Sequence, residues 1–315
     1  MEEVSRPVNP PPSDSTETSH DVGWTPIAEE AARAARLLHP KEGSLPRPGR
    51  RRVMTVANQK GGVGKTTSTV NLAAALAVHG LKTLVVDLDP QGNASTALDV
   101  DHRSGTPSIY EVLIGEVTLA EAAQPTEQSP NLFCVPATID LAGAEIELVS
   151  MASRESRLKE AISSEILDEI GVDYVLIDCP PSLGLLTVNA MVAAQEVLIP
   201  IQCEYYALEG LGQLLSNIEL VQQHLNRELR VSTILLTMYD GRTKLADQVT
   251  NEVRNHFGDT VLKTVIPRSV KVSEAPGYGQ TVLAYDPGSR GAMSYVDAAK
   301  EIAERGAQLE RGSYT

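Results

Sequence analysis

A glycine-rich segment that contains two lysines is the part of the chain best suited to bind phosphate. It reads Lys60-Gly-Gly-Val-Gly-Lys-Thr-Thr67 and lies between a predicted strand and a predicted helix. Glycines let the backbone wrap closely around an anion and point amides at it, and the helix start adds a partial positive charge. Lys65 would neutralise the β- and γ-phosphates of a nucleotide, and the Thr66 hydroxyl would bind Mg²⁺. The residues predicted to contact ATP here are Gly61, Gly62, Val63, Gly64, Lys65, Thr66 and Thr67.

This segment, hereafter the phosphate loop, departs in two ways from the common pattern G-x-x-x-x-G-K-[ST]. Gln59 stands where that pattern has its first glycine, and Lys60 is an additional lysine five residues before Lys65. One lysine is enough for the phosphates of its own site. The other could reach a second, facing nucleotide and supply a charge that stabilises the transition state there, as an arginine finger does.

Three aspartates follow predicted strands. Asp87 and Asp89 come directly after the apolar residues 83–86, and Asp178 ends the run of residues 174–177. Ligands of doubly wound sheets bind at the carboxyl ends of the strands. An apolar run that ends in Asp is also the pattern that holds Mg²⁺ through water, which indicates a metal role for Asp178. Taken alone, Asp87 and Asp89 are equally consistent with a solvated turn.

The order of predicted elements indicates the fold class. Strands alternate with helices, which predicts an α/β protein with a doubly wound, mostly parallel sheet and helices on both faces. The strands are predicted at residues 53–57, 83–86, 174–177, 197–201, 231–236 and 261–266, and the clearest helices at 64–79, 208–225 and 246–257.

Residues 1–50 differ in composition from the remainder, which is predicted to form one ATPase domain over residues 51–315. Eight of the 19 prolines lie in the first 50 residues, among Ser, Thr, Glu and Asp. Such a segment buries too little apolar surface to offset its ordering entropy, so it is predicted to be disordered. A short helix is expected at residues 27–38, capped by Thr25 and preceded by Pro26. It is either a transient helix or a docking segment.

Bulk composition indicates a soluble cytoplasmic protein. The sequence contains no apolar run of membrane-spanning length and no apolar leader, and its three cysteines do not suggest a disulfide framework. The net charge of −14 argues against nucleic-acid binding. Residues 230–290, however, contain eight Lys or Arg and six Asp or Glu. The basic residues in predicted loops or at element edges, hereafter the basic patch, are Arg242, Lys244, Arg268, Lys271 and Arg290.

Several segments resemble one family of ATPases. Asn58 to Thr67 resembles the deviant Walker A box of the ParA/MinD ATPases, a group of P-loop NTPases. Cys203 to Leu211, Leu236 to Thr243 and Val265 to Pro276 are similar to the chromosomal, Soj-type ParA proteins. The resemblance extends from about residue 52 to residue 305.

This resemblance implies specific roles. In the family, the lysine at the position of Lys60 crosses an ATP-dependent sandwich homodimer. The resemblance also implies that Asp89 positions the attacking water, that Asp87 supports the Mg²⁺ shell, and that Met238 and Pro267 lie near the adenine. Basic residues at the positions of Arg242 and Lys271 contact DNA in Soj-like proteins, and Lys244 is expected to join them.

The resemblance further implies a partitioning switch for chromosomes or plasmids. The ATP-bound dimer would bind double-stranded DNA without sequence preference, which would place the protein on the nucleoid. A ParB-like centromere-binding protein would stimulate its slow hydrolysis of ATP. Dimerisation doubles the basic patch, so DNA binding would depend on ATP.

The sequence is also consistent with three other functions. A related ATPase could position a protein cluster or polar scaffold instead of a centromere. A MinD-like septum-site ATPase would need a membrane-binding C-terminal helix, but residues 298–312 lack the required face of Lys and large apolar side chains. A metabolic ligase would carry a small-molecule pocket beside the phosphate loop.

Overall fold

A computed structural model of the protein describes residues 45–162, 164–206, 208 and 211–311. The predicted tail helix at residues 27–38 lies outside these residues. The packed region begins before the predicted domain boundary at residue 51, because Leu45 is buried and Arg47 donates hydrogen bonds to Asp173 and to the Gly80 carbonyl.

The core of the protein is one eight-stranded sheet with the strand order β3-β4-β2-β5-β1-β6-β7-β8. All neighbouring strands are parallel except β3, which pairs antiparallel with β4 at one edge. The strands are β1 (Arg52–Val56), β2 (Thr83–Asp87), β3 (Gln124–Thr126), β4 (Ser129–Val135), β5 (Tyr174–Asp178), β6 (Glu196–Gln202), β7 (Arg230–Tyr239) and β8 (Val261–Pro267).

Helices connect these strands and cover the sheet. Short 3₁₀ turns occur at Gly258–Thr260 and Ala275–Tyr278. The α-helices are α1 (Lys65–Val78), α2 (Asn93–Ala97), α3 (Ile109–Ile114), α4 (Leu119–Ala122), α5 (Leu141–Val149), α6 (Arg157–Ala161), α7 (Ser164–Ile170), α8 (Leu185–Ala193), α9 (Leu211–His224), α10 (Lys244–Phe257), α11 (Val270–Glu274), α12 (Val282–Tyr285) and α13 (Arg290–Arg311).

Both faces of the sheet are buried, which confirms the predicted doubly wound class. Successive residues of one strand point to opposite faces, and in β2 both Leu84 and Val85 are fully buried in different apolar clusters. The apolar side of α13 packs into the second cluster through residues such as Tyr295 and Ile302. None of the helices that the structure describes combines the length and the hydropathy needed to span a bilayer.

The strand order brings the predicted site residues together at the carboxyl ends of the central strands. Strand β5 lies between β1 and β2, and its register places Asp178 opposite Val56 on one side and Asp87 on the other. The phosphate loop follows β1 directly. The carboxyl ends of β1, β2 and β5 therefore bring the loop and the three predicted aspartates into one region, as expected for a switch point in an open parallel sheet.

Candidate nucleotide-binding site

The phosphate loop forms an open turn between β1 and α1. Gly62 and Gly64 have φ angles of 74° and 90°, in the left-handed region that glycine adopts without strain. A side chain at Gly61 or Gly62 would meet no atom within 4 Å, so this side of the loop is open. Gly64 immediately precedes the first residue of α1. Its position places the loop at the positive end of the helix, where an anion is stabilised.

Polar side chains from other parts of the sheet fix the shape of the loop. The Asn58 side chain donates to the Pro200 carbonyl at 2.8 Å and accepts from the Lys60 amide at 3.0 Å. The Thr237 hydroxyl donates to the Val63 carbonyl at 2.8 Å. The ends of β6 and β7 thus hold the loop that follows β1. The sequence alone indicates no role for Asn58 or Thr237, because Pro200 and Val63, to which they donate, are distant in the chain.

Lys65 lies inside the site rather than on the surface. Its side chain is 7% exposed, and its ammonium group is 3.4 Å from the Lys60 carbonyl. Burial lowers the pKa of Lys65, while the negative charges of Asp178 and Asp89 raise it. Lys65 and these two carboxylates therefore share one electrostatic environment, beside the open side of the loop.

Asp178 presents a buried oxygen without a protein partner. One carboxylate oxygen accepts a hydrogen bond from the Thr69 hydroxyl at 3.1 Å, and the other has no partner among the described residues. Burial, followed by the charge of Asp87, raises the pKa of Asp178, and the Thr66 and Thr69 hydroxyls oppose this shift. An unpaired buried carboxylate oxygen costs free energy. This unpaired oxygen fits a site near Mg²⁺, and the predicted roles of the Thr66 hydroxyl and Asp178 in holding the ion stay predictions.

The two aspartates after β2 occupy different environments. Asp87 is fully buried and accepts from the Ser95 amide, the Ser95 hydroxyl and the Asp89 amide at 2.8, 2.7 and 3.2 Å. Burial raises the pKa of Asp87, and these hydrogen bonds oppose the shift. Asp89 is 8% exposed and accepts from the Gln91 amide at 3.0 Å. Both carboxylate oxygens of Asp87 thus accept hydrogen bonds from the protein itself. Its support of the Mg²⁺ shell stays a prediction.

The predicted adenine-side residues lie at adjacent strand ends. Tyr239 of β7 pairs with Pro267 of β8, so Met238 and Pro267 are at the same edge as the phosphate loop. Met238 has a φ angle of 51°, an uncommon value for a residue with a side chain, and it follows Thr237, which holds the loop. Their contact with adenine stays a prediction.

Much of the basic patch is paired with acidic side chains. Arg242 forms two hydrogen bonds with Asp240, at 2.8 and 2.7 Å, although its side chain is 87% exposed. Arg268 pairs with Glu204 at 3.2 Å, and Lys271 with Glu274 at 3.7 Å. Within the described part of the chain, the remaining two members of the patch form no ion pair; they are Lys244 and Arg290.

A cavity at the amino ends of two strands lies away from the phosphate loop. It has a volume of about 990 Å³ and is lined by Arg230, Lys263 and Arg305, among other residues near the amino ends of β7 and β8. None of the predicted site residues lines it.

These features define a class of protein. A phosphate loop follows the first strand of a parallel sheet, its lysine lies at the helix start, and the aspartate of the neighbouring strand is buried beside it. The chain is a P-loop nucleotide-binding protein.

Comparison with known proteins identifies the family. A family model described as an AAA domain matches residues 51–231. The chain is 52% identical over 255 residues to the sporulation initiation inhibitor protein Soj of Bacillus subtilis, covering 81% of this chain and 99% of that protein. It is 50% identical over 254 residues to the chromosome partitioning protein ParA of Caulobacter vibrioides, covering 81% and 94%. The chain belongs to the ParA/Soj family of chromosome-partitioning P-loop proteins.

Solved structures share the fold and contain nucleotide. A crystal structure named cobyrinic acid a,c-diamide synthase from Mycobacterium smegmatis, with bound ATP analogue and magnesium, matches with a TM-score of 0.68 and 40% sequence identity. The match covers 80% of this chain and 94% of that one.

Proposed function

We propose that this protein is an ATP-driven DNA-partitioning switch. It binds ATP with Mg²⁺ and closes into a sandwich homodimer, which binds double-stranded DNA without sequence preference and so associates with the nucleoid. A ParB-like centromere-binding protein stimulates slow hydrolysis of ATP to ADP and phosphate, after which the dimer separates. The family relationship supports this function, since the relative from Caulobacter vibrioides is a chromosome partitioning protein.

One observation carries the catalytic part of the proposal. Lys65 is buried, its ammonium group is 3.4 Å from the Lys60 carbonyl, and the charges of Asp178 and Asp89 act on its pKa. A lysine there neutralises phosphate charge, Asp178 and the Thr66 hydroxyl hold Mg²⁺, and Asp89 orients water. When bound, Mg²⁺ stabilises the negative charge that develops on the phosphates.

Lys60 is assigned to the partner's nucleotide. Its backbone is fully engaged, because the amide donates to Asn58 and the carbonyl is 3.4 Å from the Lys65 ammonium. Its own ammonium forms no ion pair within the described ranges of the chain. Lys65 already serves the phosphates of its own site. A second cation at the outer start of the loop therefore suits the phosphates of a facing subunit.

DNA binding is assigned to the basic patch at the carboxyl ends of β7 and β8. Arg242 lies in the loop between β7 and α10, and Lys244 is the first residue of α10. Lys271 lies in α11, after β8. The ion pair with Asp240 restrains Arg242 and offsets its charge, so DNA phosphate competes with Asp240 for the guanidinium group. Each chain alone offers a weak patch, and the dimer offers two.

Reversing the charge of Arg242 is expected to weaken DNA retention. Arg242→Glu should lower the affinity of the ATP-bound protein for DNA roughly tenfold and reduce the salt dependence of binding, because a phosphate contact is lost. Asp240→Asn should have the opposite effect, since it releases Arg242. DNA affinity is measured by fluorescence anisotropy over a series of salt concentrations, with dimerisation followed separately.

Arg227→Glu is the matched control, because Arg227 is exposed and precedes β7. It therefore lies near the amino ends of the strands, whereas the basic patch lies near their carboxyl ends. Its charge reversal changes the net charge equally but should leave DNA affinity within about twofold of the unmodified protein. Equal losses in both variants would mean that net charge alone matters. Unchanged retention of Arg242→Glu at low salt would remove Arg242 from the patch.

The similarity to a structure named as a diamide synthase favours one second candidate, an ATP-dependent ligase. Such an enzyme couples ATP use to amide formation on a small acceptor. ATP turnover measured with DNA and a ParB-like protein, and separately with cobyrinic acid and an ammonia donor, distinguishes the two functions. Stimulation only by DNA and the ParB-like protein supports the partitioning switch. Turnover that requires the acceptor supports the ligase.

A further inference from the structure

Ser95 lies at the centre of a buried chain of hydrogen bonds behind Asp89. Its hydroxyl and its amide both donate to one oxygen of Asp87, at 2.7 and 2.8 Å. The other oxygen of Asp87 accepts the Asp89 amide at 3.2 Å. Ser95 and Asp87 are fully buried, so water does not compete for these bonds. The carboxylate of Asp87 thus accepts hydrogen bonds from Asp89 and from Ser95, which lie at the two ends of the loop that carries Asp89.

The same hydroxyl also ties this loop to the end of β4. Ser95 accepts a hydrogen bond from the Ala137 amide at 3.0 Å, so its only proton must point to Asp87. Gly92, within the loop, has a φ angle of 63°, and an added Cβ there would lie 3.2 Å from the Ala137 carbonyl. The loop therefore packs closely against the segment that leads from β4 into α5.

We infer that Ser95 is a positioning residue that sets the location of Asp89. This inference rests on the proposed function, in which Asp89 orients the attacking water. With Ser95 in place, one oxygen of Asp87 is held by two donors, which leaves the other facing the Asp89 amide. Without the hydroxyl, this oxygen of Asp87 keeps only the amide of residue 95 as a donor, so the carboxylate is held less firmly, and the buried Ala137 amide loses its partner. Displacement of a catalytic group by about 1 Å costs up to roughly a hundredfold in rate.

The test measures kcat, KM for ATP and thermal stability in three variants. Ser95→Ala is expected to lower kcat roughly tenfold to a hundredfold with little change in KM, because nucleotide contacts are intact. Ser95→Thr keeps the hydroxyl and should restore most of kcat. Thr83→Val is the matched control, since it removes a buried hydroxyl that bonds to the Leu81 carbonyl at the other end of β2.

A double variant decides whether Ser95 acts through Asp89. If it does, adding Ser95→Ala to Asp89→Ala should cause no further loss in single-turnover hydrolysis. A further loss of tenfold would overturn the inference, and so would a kcat for Ser95→Ala equal to that of Thr83→Val. Normal hydrolysis by Asp89→Ala would instead overturn the assigned role of Asp89 itself. The two failures are therefore distinguishable.

Discussion

Replacing Lys65 with alanine is expected to abolish measurable ATP binding. The Lys65 ammonium lies in one environment with the carboxylates of Asp89 and Asp178, and the triphosphate would add further negative charge. Without the lysine, these carboxylates repel the nucleotide and nothing at the helix start offsets its charge fully. Truncating one partner of a buried charge pair costs about 2–5 kcal/mol, which is sufficient to remove binding at micromolar ATP.

Isothermal titration calorimetry with ATP and Mg²⁺ measures this effect. Lys300→Ala is the control, because Lys300 is an exposed residue of α13 whose removal changes the net charge equally. The control should bind ATP as the unmodified protein does. Binding by Lys65→Ala within threefold of the unmodified affinity would show that the phosphates lie elsewhere.

Replacing Asp89 with alanine is expected to separate binding from hydrolysis. Its carboxylate is 8% exposed, close enough to raise the pKa of Lys65, and held in a loop fixed at both ends. A group that orients or deprotonates water contributes about 10²–10⁴-fold to the rate. Asp89→Ala should therefore lose at least a hundredfold in kcat while it binds ATP and DNA with unchanged affinity.

Phosphate release under saturating ATP measures the loss. Asp101→Ala provides the comparison, because Asp101 is exposed and bonds to Arg103 in the loop after α2. Its kcat should match that of the unmodified protein. A normal rate in Asp89→Ala would assign the activation of water to another group.

Most of the fold follows from apolar runs, but the two strands at the β3 end of the sheet, β3 and β4, do not. The six strands predicted from Val-, Leu- and Ile-rich segments are all present, because burial on both faces of a parallel sheet requires such runs. Strand β4 was missed, since Pro130 and Asn131 weaken its pattern. Strand β3 has only three residues. Missing these two strands does not change the predicted site, because β3 lies at the edge of the sheet and the phosphate loop follows β1.

Some residues of the site can be predicted from the sequence and others cannot, for a physical reason. The loop and Asp178 have local signatures, so spacing alone indicates them. Ser95, Asn58 and Thr237 have none, because each acts through a partner that only the folded chain supplies. The ion pair between Arg268 and Glu204 joins residues 64 positions apart, and it likewise reduces a positive charge that the sequence suggested was available.

ATP is expected to join two chains into a dimer, and the molar mass of Asp89→Ala in solution tests this most directly. Light scattering should give a mass close to the 33.8 kDa of one chain with ADP and Mg²⁺, and twice that mass with ATP and Mg²⁺. Adding Lys60→Ala should return the mass to that of one chain, although ATP still binds, because the charge supplied to the facing nucleotide is lost. A mass of 33.8 kDa at saturating ATP would contradict this expectation.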